Sequence, residues 1–152
     1  MRLPRWLRLL APGSVMATLW WSSSKPPAMT VGGPLYDFLF NGAHIVAYGG
    51  LAAAWWYALG DAARLARSEA MRPVGTLAVV LAFAYGLVDE LHQSFTAGRV
   101  ASIGDLLSDL SGAALAVAVA GALVSGDRRA LRRVPWLVLA SFASVAAATW
   151  WF

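Results

Sequence analysis

The chain has 152 residues, of which 59% are hydrophobic and only 13% charged, with a formal net charge of +4. Soluble domains carry about 25% charged residues, so this composition excludes an ordinary soluble fold and points to a membrane protein. With no cysteine, disulfides and thiol catalysis are excluded as well.

A membrane-crossing helix needs roughly 20 mostly apolar residues. Five such segments are predicted, near residues 6–23, 38–59, 74–94, 105–125 and 134–152. The fold class expected is therefore all-α, a single integral membrane bundle over 1–152. The first span follows an arginine-rich start. The rival reading, a cleaved signal peptide, is disfavoured because an A-x-A site is missing and Pro12-Gly13 interrupts the apolar stretch. Ser22 to Pro34, rich in serine, proline and glycine, reads as the first external loop. Asp37 is expected to cap the second span. Asp61 to Arg72 forms a short link, with Pro73 suited to the first turn of the third helix. Thr96 to Gly104 is the second external loop. Gly126 to Arg133 links to the last span, which has Pro135 near its start.

The positions of the charges suggest an orientation. Arg2, Arg5, Arg8, Arg64, Arg67, Arg72, Arg128, Arg129, Arg132 and Arg133 all fall on one side of the five spans. Only Lys25 and Arg99 fall on the other. Basic residues accumulate in cytoplasmic loops, so the N-terminus is expected in the cytoplasm and the C-terminus outside. Trp6, Trp20, Trp21, Trp55, Trp56, Trp136, Trp150 and Trp151 all lie near predicted helix ends, at headgroup level. No basic-aromatic stripe suggests nucleic acid, and the glycines form no phosphate loop.

The densest chemistry lies in Asp89 to Gly112, DELHQSFTAGRVASIGDLLSDLSG, between two apolar runs. Ionisable groups at such positions must be paired, wetted or used. Fifteen residues separate each of His44, Asp89 and Asp109 from the cytoplasmic end of its span. At about 1.5 Å per residue all three stand roughly 22 Å above that boundary. They therefore share a level just inside the outer face.

On the third span Tyr85, Asp89 and either His92 or Gln93 share a face. Glu90 is turned about 100° from Asp89, so one acid can face a site while the other faces the loop. Ser102 and Asp105 form a capping pattern for the fourth span. Asp105 and Asp109 stand one turn apart and need a cation, an arginine or a shared proton. Arg99 can fold back over them.

Glu90 leads the candidates for an acid, base or ligand, with Asp89, His44 and Asp105. Arg99, Gln93, Asp109, Tyr48 and Ser102 are candidate binding residues. Glu90, Asp105 and Asp109 are chemically suited to a divalent cation such as Mg²⁺ or Ca²⁺, although no compact metal motif is present. The bland readings stand beside these. Arg99 can simply pair with Asp105, Tyr48 can pack or bond to His44, His92 can face the loop, and Gly112 can serve close helix packing with Ala116 and Ala120.

This pattern resembles the signature of the VanZ-like family of small bacterial membrane proteins. The matching residues are Asp89-Glu90, Gln93, Arg99, Ser102, Asp105 and Gly112. Trp20-Trp21-Ser22-Ser23 and the set Asp37, His44, Tyr48 and Leu51 resemble its upstream motifs. The resemblance covers roughly 15–125 and leaves 134–152 as an additional helix beyond a four-helix unit. Asp109 stands where an asparagine is expected, and Asn41-Gly42 where a lysine often follows the external aspartate. The resemblance implies a protein acting at the outer face of the cytoplasmic membrane on a lipid or lipid-linked envelope component, with an effect on susceptibility to the glycopeptide teicoplanin. Catalysis, binding or transport of an amphiphile, and a purely structural role all remain open. The oligomeric state is not legible in the sequence.

Overall fold

The computed structural model describes residues 3–26, 33–60, 68–99, 101–126 and 128–151. Among these residues all regular structure is helical. The helices are α1 (Arg5–Arg8), α2 (Leu10–Ser23), α3 (Pro34–Leu59), α4 (Ser68–Gln93), α5 (Ile103–Ser125), α6 (Arg128–Leu131) and α7 (Val134–Trp151). Five of them are long and match the five predicted segments in order. The link arginines Arg64 and Arg67 lie outside the described residues, as does part of the first external loop.

Two helix starts differ from expectation. Asp37 does not cap α3. The helix begins earlier, with Gly33 in an extended conformation at the N-cap and Pro34 at the first helical position. Proline suits that place because its missing N–H has no intrahelical partner there. Pro73 is likewise not in the first turn of α4, which starts at Ser68 and carries the proline inside it. The fourth predicted start holds. Ser102 is extended, and its side chain accepts a hydrogen bond from Asp105 N, fixing the N-terminus of α5. Gly126, at a φ of 64°, closes the same helix in the left-handed region that favours glycine.

Arg72–Gln93 and Ile103–Ser125 are long and apolar enough to cross a membrane. Only 39% and 28% of these segments is buried, unlike a soluble core helix. Leu77, Val80, Leu87, Val88 and Leu123 stand exposed along them, as lipid-facing residues would. The other long helices fall short for identifiable reasons. Helix α2 has 14 residues, about 21 Å of rise. Helix α3 carries Asp37, Asn41 and His44 among its apolar residues, and in α7 the apolar stretch is Val134–Ala147.

Helix α3 is central and packs most extensively against α5, with α2, α4 and α7 around it. Tyr48, Leu51, Ala52, Ala82 and Ala113 form the main buried cluster. Glycine explains how closely α3 and α5 approach. A Cβ on Gly112 would lie 2.3 Å from the Ile45 carbonyl oxygen, and one on Gly49 would lie 3.1 Å from the Gly112 oxygen. Small residues are the usual device for bringing helix backbones together in membranes. Helix α7 docks on the same pair. Ser111 and Ser144 hydroxyls lie 3.0 Å apart, and Asn41 Nδ2 donates to Thr149 Oγ1 at 3.1 Å.

Candidate functional site

The site lies where α4 ends and α5 begins, against the middle of α3 and the end of α2. It contains an unusual density of buried acid. Asp89, Glu90 and Asp109 are 3%, 5% and 1% exposed, and Asp105 is buried too. Such groups are tolerated only where their charge is matched or their hydrogen bonds are made.

Two hydrogen-bonded groups lie side by side, joined by the stacked rings of His44 and Tyr48. In the first, His44 Nδ1 lies 2.9 Å from Asp109 Oδ1, and His44 Nε2 lies 3.9 Å from Asp105 Oδ2. An ionised carboxylate can only accept, so opposite ionised Asp109 the Nδ1 carries the proton. The two aspartates are thus answered by a histidine between them. In the second group, Tyr48 Oη donates to Asp89 Oδ2 at 3.2 Å and Gln93 Nε2 donates to the same oxygen at 3.0 Å. Tyr48 therefore bonds to Asp89, while its ring stacks on His44 with centroids 6.1 Å apart. Gly86 leaves room for this arrangement, because a Cβ there would lie 2.8 Å from Asp109 Oδ2.

Asp89 and Glu90 turn apart. Asp89 lines an open cleft, whereas Glu90 Oε2 accepts the backbone N–H of Ser102 at 2.7 Å. Glu90 thereby ties the end of α4 to the start of α5. Ser102 serves both acids, donating its N–H to Glu90 and accepting from Asp105 N. The proposed grouping of Glu90, Asp105 and Asp109 around a cation does not form. Among the described residues no three histidine or acidic side chains come together as metal ligands. Glu90 is turned to the backbone, and His44 occupies the space between the aspartates.

The cleft holds about 130 Å³ and is walled by Phe40, His44, Tyr48, Asp89, Gln93 and Arg99, with Ser22 and Ser23 at the end of α2. Arg99 does not fold over Asp105. Its Nε donates to the Lys25 carbonyl at 3.2 Å and a terminal nitrogen to the Ser22 carbonyl at 3.4 Å, with the guanidinium 5.4 Å from the Phe40 ring centroid. The carbonyls at the end of α2 lie at the negative end of a helix dipole, which suits an arginine, and the Ser22 oxygen accepts from Arg99 as well as from Lys25 N.

A second contact was not read from the sequence. His92 stacks on Trp20 with centroids 3.8 Å apart, and its Nε2 lies 2.9 Å from Ser24 Oγ. It clamps α2 to α4 rather than facing the loop. Several buried polar atoms around the site have no hydrogen-bond partner, namely Asp89 Oδ1, Glu90 Oε1, Asp109 Oδ2 and Ser108 Oγ.

The family model described as VanZ/LLP1 matches residues 6–124. That span contains every residue of the cleft and of the acid cluster, and leaves α7 outside it. No curated protein and no solved structure matches the chain.

Proposed function

The chain belongs to the VanZ/LLP1 family, and from that premise we propose that it is a multi-pass protein of the bacterial cytoplasmic membrane whose polar cleft receives the head group of a membrane lipid or lipid-linked envelope component. The five long helices are its spans, with the N-terminus in the cytoplasm and the C-terminus outside. The cleft then opens toward the outer face, where sequestering or altering such a component changes susceptibility to teicoplanin.

One observation carries this reading. Two ionisable side chains from different helices, His44 and the buried Asp89, line one open cleft of an otherwise apolar bundle, and the buried Asp109 of a third helix backs His44. A cluster that merely locked helices together would have no need of open space beside it. The arginine at the rim can hold a phosphate or carboxylate while it keeps its carbonyl partners, because a guanidinium has five N–H donors. The apolar stretch of α2 and α3 beside the cleft suits a lipid tail.

A second reading, catalysis on the bound component, draws on the His44–Asp109 pair. A carboxylate that fixes one imidazole nitrogen leaves the other as an acid or base. Here Nε2 stands near Asp105 and beside the cleft. The test is to reconstitute wild type and His44→Gln in bacterial envelope lipid, incubate both, and profile the lipids by mass spectrometry. Binding alone leaves the two profiles identical, with lipid retained on purified wild type. Consumption of a lipid by wild type only makes the protein an enzyme. Failure of wild type to retain any lipid would remove the reading.

A further inference from the structure

The two charged groups that line the cleft differ in a way that specifies a ligand. Asp89 is 3% exposed, and the partners of its Oδ2 are Tyr48 and Gln93, both neutral. Its Oδ1 has no hydrogen-bond partner at all. A buried carboxylate with only neutral partners is a site for a cation that brings N–H donors. Arg99 presents the complementary case. Its two hydrogen bonds go to backbone carbonyls of Ser22 and Lys25, also neutral, and three of its donors remain for an anion. Both residues wall the same cleft of about 130 Å³. Of the other residues that line the cleft, His44 is already engaged by Asp109 and Asp105, and the rest are uncharged.

We propose that the cleft recognises an ammonium–phosphate zwitterion, with a primary ammonium against Asp89 and the phosphate against Arg99. This rests on the head-group reading above and names its chemistry. A phosphoethanolamine group has both charges at its two ends and is small enough for so limited a space. A choline group is a poorer fit because its quaternary nitrogen has no N–H to give Asp89 Oδ1. A glycerol head has no cation. The same chemistry can reach the cleft on an aminophospholipid or as a soluble phosphoethanolamine.

The test uses the full-length protein in nanodiscs of phosphatidylcholine doped with phosphatidylethanolamine or phosphatidylglycerol, with lipid retention read by native mass spectrometry. Phosphatidylethanolamine is expected to be retained about tenfold over the other two, the discrimination that one charge-assisted hydrogen bond supplies. Asp89→Asn keeps an acceptor for Tyr48 and Gln93 and is expected to erase that preference. Arg99→Gln is expected to weaken retention of all three lipids. Displacement of the lipid by soluble O-phosphoethanolamine would support the chemistry and assign a soluble source; no displacement would assign the lipid. Equal retention of the three lipids by wild type overturns the zwitterion but leaves a head-group cleft standing. Retention of none of them sinks the head-group reading itself. Should Asp89→Asn fail to fold, the lipid series on wild type decides the matter.

Discussion

Replacing Gly112 with alanine tests how the site is assembled. The new Cβ would lie 2.3 Å from the oxygen, 2.6 Å from the Cα and 2.8 Å from the carbonyl carbon of Ile45. Ordinary contact begins at 3.4 Å, so α3 and α5 must part by about 1 Å, the scale at which packing attraction is also lost. No rotamer change relieves the clash, because every atom struck belongs to the backbone. Overpacking of this kind costs about 1–3 kcal/mol, and backbone contact argues for the upper end. His44 adjoins Ile45, and Asp109 lies one turn before Gly112. The same displacement therefore pulls apart the 2.9 Å His44–Asp109 bond.

A loss near 3 kcal/mol corresponds to a fall of roughly 6–12 °C in the melting temperature of a chain this size. Thermal unfolding in detergent, followed by tryptophan fluorescence, reads it. Gly50→Ala is the control, since nothing lies within 4 Å of a Cβ there and the change improves helix propensity. It is expected to melt at or slightly above wild type. Should Gly112→Ala melt with wild type as well, the close approach of α3 and α5 would not be what assembles the site.

Other changes have distinct signatures. Ser102→Ala removes the cap on α5 and is expected to cost about 1 kcal/mol in denaturant unfolding, while the Ser102 N–H still serves Glu90. Asp109→Asn keeps an acceptor for His44 and should lower stability less than Asp109→Leu, which leaves His44 Nδ1 without its partner; equal melting points for the two would deny the His44–Asp109 bond any weight. Trp20→Ala unstacks His92, and hydrogen exchange at residues 20–24 is expected to rise without a change at Asp109. Because the sequence has no cysteine, Ser102→Cys should react with an impermeant thiol reagent on intact cells. Labelling only after lysis would reverse the proposed orientation.

Much of this arrangement was legible in the sequence because it rests on spacing. Equal distances along three helices predict His44, Asp89 and Asp109 at one level, and the structure places them in two hydrogen-bonded groups that touch through the stacked rings of His44 and Tyr48. The 100° step between neighbours on a helix separates Asp89 from Glu90 as expected, and Ser102 caps α5 as its spacing with Asp105 implies. What spacing does not encode is which helix lies beside which. Arg99 therefore reads as a partner for Asp105, although the carbonyls ending α2 are what it meets. His92 reads as a loop residue because its stacking partner, Trp20, is far away in sequence. That a histidine rather than an arginine stands between Asp105 and Asp109 likewise depends on the glycine-mediated approach of α3 to α5. Proline misled in both directions, because Pro34 reads as the end of a loop yet starts α3, while Pro73 reads as a helix start yet lies inside α4.

The account stands on the cleft being a place where a head group sits. Ala43 lines it and is exposed, so Ala43→Phe fills the space and leaves every polar residue unchanged. Native mass spectrometry of the two proteins released from the same membranes is the most direct test. Lipid on wild type and none on Ala43→Phe, with both folded to the same melting temperature, is the predicted result. Equal lipid on both proteins would contradict it, and would mean that whatever binds does so outside the cleft.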